Sequence, residues 1–172
     1  ADPLLELFDP NGALVAGDDN GGIDGRNARL AFTASVLGGG TYRVRVSSAA
    51  PNAVGDYVLV VGDGTNTALE VLGTLPADGA FVTAYPATVR VALSQAVDPS
   101  TVDAADLTID GVPADAVRII DHSTLEFDFT NTTQPDGEYD IALAPGAMTA
   151  FGGAALASYQ SRFTLDTVHP TV

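Results

Sequence analysis

Thr124-Leu125-Glu126-Phe127-Asp128-Phe129 alternates apolar and polar side chains without a break. In an extended chain successive side chains point to opposite faces, so Leu125, Phe127 and Phe129 share one face while Glu126 and Asp128 share the other. Glu138-Tyr139-Asp140-Ile141-Ala142-Leu143 and Ser161-Arg162-Phe163-Thr164-Leu165 repeat the pattern. So does Thr41-Tyr42-Arg43-Val44-Arg45-Val46, with Tyr42, Val44 and Val46 turned inward and both arginines outward. This period of two predicts half-buried strands of antiparallel sheets. Further strands are expected in the apolar runs 4–8, 28–32, 57–61, 89–93 and 117–120.

Turn signals separate these runs: Asp9-Pro10-Asn11-Gly12, Gly38-Gly39-Gly40, Asp110-Gly111 and Pro135-Asp136-Gly137. Each supplies a residue that tolerates positive φ or a proline with φ already fixed. No long 3.6-residue apolar stripe occurs. The best helical candidate, 98–106, is one or two turns, with Asp98 as N-cap and Pro99 in the first position, where its missing N–H costs nothing. The fold class is all-β: two β-sandwiches in tandem. The Gly-, Asn- and Asp-rich stretch 62–79 marks the boundary, interrupted by the apolar run 69–72, which is a last strand of the first unit or an ordered connector. Residues 1–73 are then a first sandwich, 74–79 a linker, 80–167 a second sandwich and 168–172 the start of a further linker.

Composition narrows the chemistry. The 172 residues are 46% hydrophobic, enough for a core, and carry a net charge of -15. Such acidity opposes binding to nucleic acid, which needs a basic footprint, and to anionic membrane surfaces. No apolar run reaches the roughly 18–20 residues of a spanning helix. Cysteine is absent, and all 7 basic residues are arginine; thiolate, disulfide and Schiff-base chemistry go with them. A catalytic triad would have to use His122, which sits in the polar turn Asp121-His122-Ser123, because His169 lies beside Pro170 near the end. We expect no catalytic residues and no enzyme.

The acids are lopsided, with 18 Asp against 4 Glu. Short Asp carboxylates favour turns and caps, and they are also common calcium ligands. The loop Asp18-Asp19-Asn20-Gly21-Gly22-Ile23-Asp24, with Asp9 and Asn11 one strand earlier, is the sharpest candidate for Ca²⁺, the ligands being Asp9, Asp18, Asp19 and Asp24. A plain solvated turn is the alternative, and the spacing is not that of an EF-hand. A second acidic group, Asp98, Asp103, Asp106 and Asp110, reads as caps and surface charge.

Two resemblances follow from the order of motifs. Leu4-Leu5-Glu6-Leu7-Phe8-Asp9-Pro10-Asn11-Gly12, the Asp18-Asp19 loop, Phe32-Thr33-Ala34, Gly40-Thr41-Tyr42 and Gly55-Asp56-Tyr57 together resemble the bacterial pre-peptidase C-terminal (PPC) domain, a small sandwich appended to secreted proteases and collagenases. That resemblance implies one or more strands ahead of Asp2-Pro3, either truncated or supplied by another chain, and calcium binding. Leu93-Ser94-Gln95-Ala96-Val97-Asp98-Pro99-Ser100-Thr101-Val102 and Phe151-Gly152-Gly153-Ala154-Ala155-Leu156 look like the bacterial Ig-like repeats of S-layer proteins and adhesins. It implies an extracellular or cell-surface location. The function expected is a non-catalytic spacer in a longer secreted protein, with neighbouring domains or identical subunits as partners. The alternatives are a fibre subunit completed by strand addition and an adhesive module for a fibrous protein or polysaccharide.

Overall fold

The computed structural model describes residues 2–22, 25–33, 40–62 and 67–168. The chain divides into two compact units, Ala1–Gly64 and Thr65–Val172.

The first unit holds one sheet of β1 (Pro3–Phe8), β2 (Leu14–Asp18) and β3 (Arg43–Ser48), in the order β2-β1-β3 and antiparallel throughout. Leu5 and Leu7 lie opposite Val46 and Val44, as the alternation predicts. Arg45 Nε donates to Glu6 Oε2 at 2.6 Å on the other face, and its guanidinium lies 5.4 Å from the centre of the Phe8 ring. Among the described residues of this unit only Leu7 is buried. Two expected strands are not formed: 28–32 and 57–61 carry no strand pairing among the described residues. Alternation makes a run competent to be a strand, but a strand also needs an edge to pair with, and neither β2 nor β3 takes up these runs. Val44, expected inward, is 46% exposed, because no second layer of described residues covers this sheet.

The second unit is a complete sandwich. One sheet has the order β4-β6-β10-β9, from β4 (Val71–Leu75), β6 (Thr88–Leu93), β10 (Thr124–Asp128) and β9 (Ala116–Asp121). The other runs β5-β12-β11-β7-β8, from β5 (Ala80–Val82), β12 (Tyr159–Leu165), β11 (Gly137–Leu143), β7 (Leu107–Ile109) and β8 (Val112–Pro113). Alternate residues of both sheets meet in one core: Val89, Val91, Leu125 and Phe127 from the first, Ile109, Ile141, Phe163 and Leu165 from the second. Burying each large side chain contributes about 1.5–3 kcal/mol. Tyr85 packs edge-on against Tyr139 and Phe163 at 5.2 and 5.9 Å. Tyr139 stacks on Phe163 at 5.4 Å and donates its hydroxyl proton to Pro135 O at 2.6 Å, which closes the Pro135-Asp136-Gly137 corner.

The boundary falls earlier than the linker composition predicts. β4 pairs with β6, Leu69 is fully buried in the second core, and Leu69 N donates to Ala155 O at 3.0 Å. The run 69–72 is therefore neither the end of the first unit nor a connector, because Leu69 is buried in the second core, Val71 packs against it and β4 joins its sheet. Residues 98–106 form two 3-10 turns, Pro99–Thr101 and Ala104–Asp106, with Asp98 and Asp103 as N-caps. Leu69→Ala should lower the unfolding free energy of the sandwich by about 2–5 kcal/mol, the range for emptying a leucine-sized core site. Urea unfolding followed by circular dichroism measures it; a connector residue would leave the midpoint unmoved.

Candidate functional site

The short carboxylates are held by backbone donors. In the first unit Asp9 Oδ1 accepts from Asn11 N and Ala13 N at 2.9 and 2.8 Å, turning the chain from β1 into β2. Asp18 Oδ2 accepts from Gly21 N and Arg29 N, both at 2.7 Å. A Cβ on residue 21 would stand 2.6 Å from Asp18 Oδ1, so a larger residue there would displace the Asp18 carboxylate from this turn. Asp9, Asp18 and Asp19 form no metal-binding group with other acids or histidines among the described residues, and Asp24 lies outside them. One oxygen of each carboxylate, Asp9 Oδ1 and Asp18 Oδ2, serves as the turn acceptor.

The second unit repeats this use of aspartate. Asp98 Oδ1 accepts from Ser100 N and Oγ, and Asp103 and Asp106 cap one another's backbone reciprocally. Asp78 receives Arg162 N, Asp110 receives Asp140 N, Asp115 receives Thr130 N and Asp136 receives Thr167 N. At the β7–β8 turn Asp110 and Gly111 have φ of 49° and 78°, the pair of left-handed residues that a tight hairpin needs.

Ionic chemistry is concentrated on the outer face of the β4-β6-β10-β9 sheet. Register sets Arg90 and Arg118 on either side of Glu126. Arg90 Nε and Arg118 Nη2 donate to its two oxygens at 2.5 and 2.6 Å, and Arg118 also reaches Asp128 at 2.8 Å. Glu126 is only 7% exposed although it faces outward, because the arginine stems cover it. The Arg90 hydrogen bond holds its carboxyl below the ordinary range, helped by the Arg90 and Arg118 charges. Asp140 is lowered in the same way by Arg162, and Asp115 and Asp121 by the N–H groups of Thr130 and Ser123. Asp106 is shifted the opposite way by burial. Burial also pushes the Tyr85 phenol up to about 12, with Tyr139 and Asp110 adding to it.

Beside this ladder an open groove of about 620 Å³ is walled by Leu75, Pro76, Phe81 and Pro86, with Arg90 and Glu126 at its polar end. Sequence reasoning missed it, since its walls come from β4, β5 and their flanks, which meet only after the two sheets close. His122 is exposed in the β9–β10 turn, where its carbonyl accepts from Val97 N and Asp121 accepts from Ser123 N. That arrangement is a turn, as its sequence suggests.

The model of the family described as "Bacterial Ig-like domain" matches residues 65–165. The chain belongs to that family. The match starts where the second compact unit starts, so the Ig-like unit is the whole sandwich with β4 and Leu69 included. Among solved structures, CopC from Methylosinus trichosporium OB3b is 15% identical with a TM-score of 0.46, over 60% of this chain and 99% of that one. Domains 1–6 of the surface layer protein SbsC are 14% identical with a TM-score of 0.44, over 61% of this chain and 14% of that one. An L,D-transpeptidase from Mycobacterium smegmatis is 19% identical with a TM-score of 0.42, over 58% of this chain and 40% of that one. No curated protein matches the chain.

Two outcomes follow from this geometry. The lowered carboxylates contribute stability that is complete above the ordinary carboxylate range and is lost as pH falls through and below about 4, while Asp106 works weakly in the other direction. The melting temperature should therefore fall with acidification, and Glu126→Gln should flatten part of that slope; a pH series of thermal melts checks both. Since Asp9 and Asp18 already accept two backbone donors each, millimolar calcium should leave the melting midpoint where chelator leaves it. A rise with calcium would mean that Asp19 and Asp24 complete a site.

Proposed function

We propose that this chain is a non-catalytic structural segment of a secreted or cell-surface bacterial protein, in which the Ig-like unit acts as a spacer. The observation that carries it is the family match over 65–165 on a sandwich whose polar side chains serve its own turns and ladders. Nine aspartates of this unit accept from backbone N–H groups, and Glu126 is gripped by two arginines. Such groups are engaged as acceptors within the fold's own turns and ladders. His122 lies in a hairpin turn and is exposed. The PPC-like reading of the first unit belongs to the same proposal, supported by the order of its motifs along β1, the acidic loop and β3.

A second reading, assembly by strand addition, is favoured by one observation: Tyr57, Val58, Leu59, Val60 and Val61 are 43–78% exposed and unpaired among the described residues. A run of this kind can join a sheet edge of another chain.

Immobilised full-length chain, offered collagen fibrils and peptidoglycan sacculi across micromolar concentrations, should bind neither saturably. Saturable binding would replace the spacer reading with an adhesive one. Light scattering over a concentration series should report a single monomeric mass; growth with concentration would favour strand addition instead.

A further inference from the structure

Two strand edges and the apolar groove meet on one side of the Ig-like unit. β4 is the outermost strand of one sheet and β5 of the other, and among the described residues each pairs on one side only. The groove of about 620 Å³ takes walls from both, with Leu75 ending β4, Phe81 central in β5, and Pro76 and Pro86 beside them. Leu75 and Phe81 are 64% and 79% exposed, so the fold itself leaves these apolar walls uncovered. Register sets Leu75, Arg90, Glu126 and Arg118 in one row across the outer face. Arg90 Nε and Arg118 Nη2 occupy the two Glu126 oxygens. Neither Nη of Arg90 has an acceptor among the described residues, and its side chain is 56% exposed. The unused hydrogen-bonding capacity at the polar end is therefore donor only, on a cation.

These three features select the occupant. A free strand edge is completed by backbone N–H and C=O groups, the apolar walls by an apolar side chain, and the Arg90 fork by a carboxylate. An extended peptide supplies all three at once. Its alternate side chains face the same way, about 6.6–6.8 Å apart, so an apolar residue and an acid two positions on reach the groove and Arg90 together. We propose that the β4–β5 side of the Ig-like unit docks an extended acidic peptide of a partner protein, by pairing with the β4 edge. The bulge at Leu72 confines that pairing to Gly73–Leu75, and nothing stands within 4 Å of where a Cβ on Gly73 would lie. With so short a ladder, the groove and Arg90 carry the selectivity. The site goes beyond the spacer reading: it gives a spacer a clip for a neighbouring chain.

The probes are dye-labelled heptapeptides of threonine and valine with a central leucine and, two positions later, aspartate, asparagine or lysine. Fluorescence polarisation against the full-length chain should show saturable binding of the aspartate peptide, with the other two weaker by about tenfold or more, the scale of a charge-assisted hydrogen bond. Arg90→Gln should bring the aspartate peptide down to the asparagine level. Phe81→Ser, at a position too exposed to matter for folding, should weaken all three peptides and leave the melting midpoint unchanged. Methylating alternate backbone nitrogens of the aspartate peptide should abolish binding, because a side chain captured without strand pairing would not need those N–H groups. No saturable binding up to millimolar peptide, equal affinity for aspartate and lysine, or indifference to N-methylation would each overturn the site. The spacer reading would then stand, since the collagen and sacculus assay tests it separately.

Discussion

A sandwich can bury its inner faces only if every connection around its rim leaves no N–H group stranded away from water. In this protein the short aspartate carboxylate meets that requirement. An Asp side chain reaches a donor two or three residues ahead, where glutamate overshoots, and it also reaches across to a neighbouring segment, as from Asp78 to Arg162 or from Asp136 to Thr167. The composition, so rich in Asp and poor in Glu, is thus a record of how the loops are fastened. The core of Phe127, Phe163 and their neighbours depends on those fastenings, because each strand joins the sheet at a register that its preceding turn sets.

The few glutamates have a different task. Glu126 lies between two arginines on adjacent strands, and Glu138 and Asp140 share Arg162 across the β11–β12 pair. These contacts are cross-strand pairs on the outer faces, each modest when exposed. Glu126 differs because it is nearly covered, so its pairing is obligatory: an ionised carboxylate there without its guanidiniums would be costly. Arginine suits this position better than lysine, since its fork reaches a carboxylate while its stem lies flat over apolar surface.

Much of the second sandwich was legible in the sequence. The alternation in 124–129, 138–143 and 161–165 located three strands and their inward faces, and Asp98-Pro99 located a cap. The boundary was less legible, because the Gly- and Asp-rich stretch around 62–79 looks like a linker while Leu69 and β4 are packed parts of a core. Local composition cannot reveal a contact with residue 156. The first unit was least legible: 28–32 and 57–61 have the pattern of strands, but pairing is a property of two segments. The acidic loop carries one signal for two readings, since the carboxylate oxygens that accept from N–H groups are also the ones that donate lone pairs to cations. The apolar groove left no signal, its walls being distant in sequence.

The exposed Tyr57-Val58-Leu59-Val60-Val61 segment also bears on colloidal behaviour. It is uncharged, free of glycine and proline, and rich in β-branched residues, the composition from which fibrillar stacks are built. At neutral pH mutual repulsion between molecules of charge -15 keeps such segments apart. Near the isoelectric point of about 4.1 that repulsion vanishes, while the lowered carboxylates release their fastenings only at still lower pH. Acidification therefore removes the electrostatic barrier to association first and loosens the native packing second.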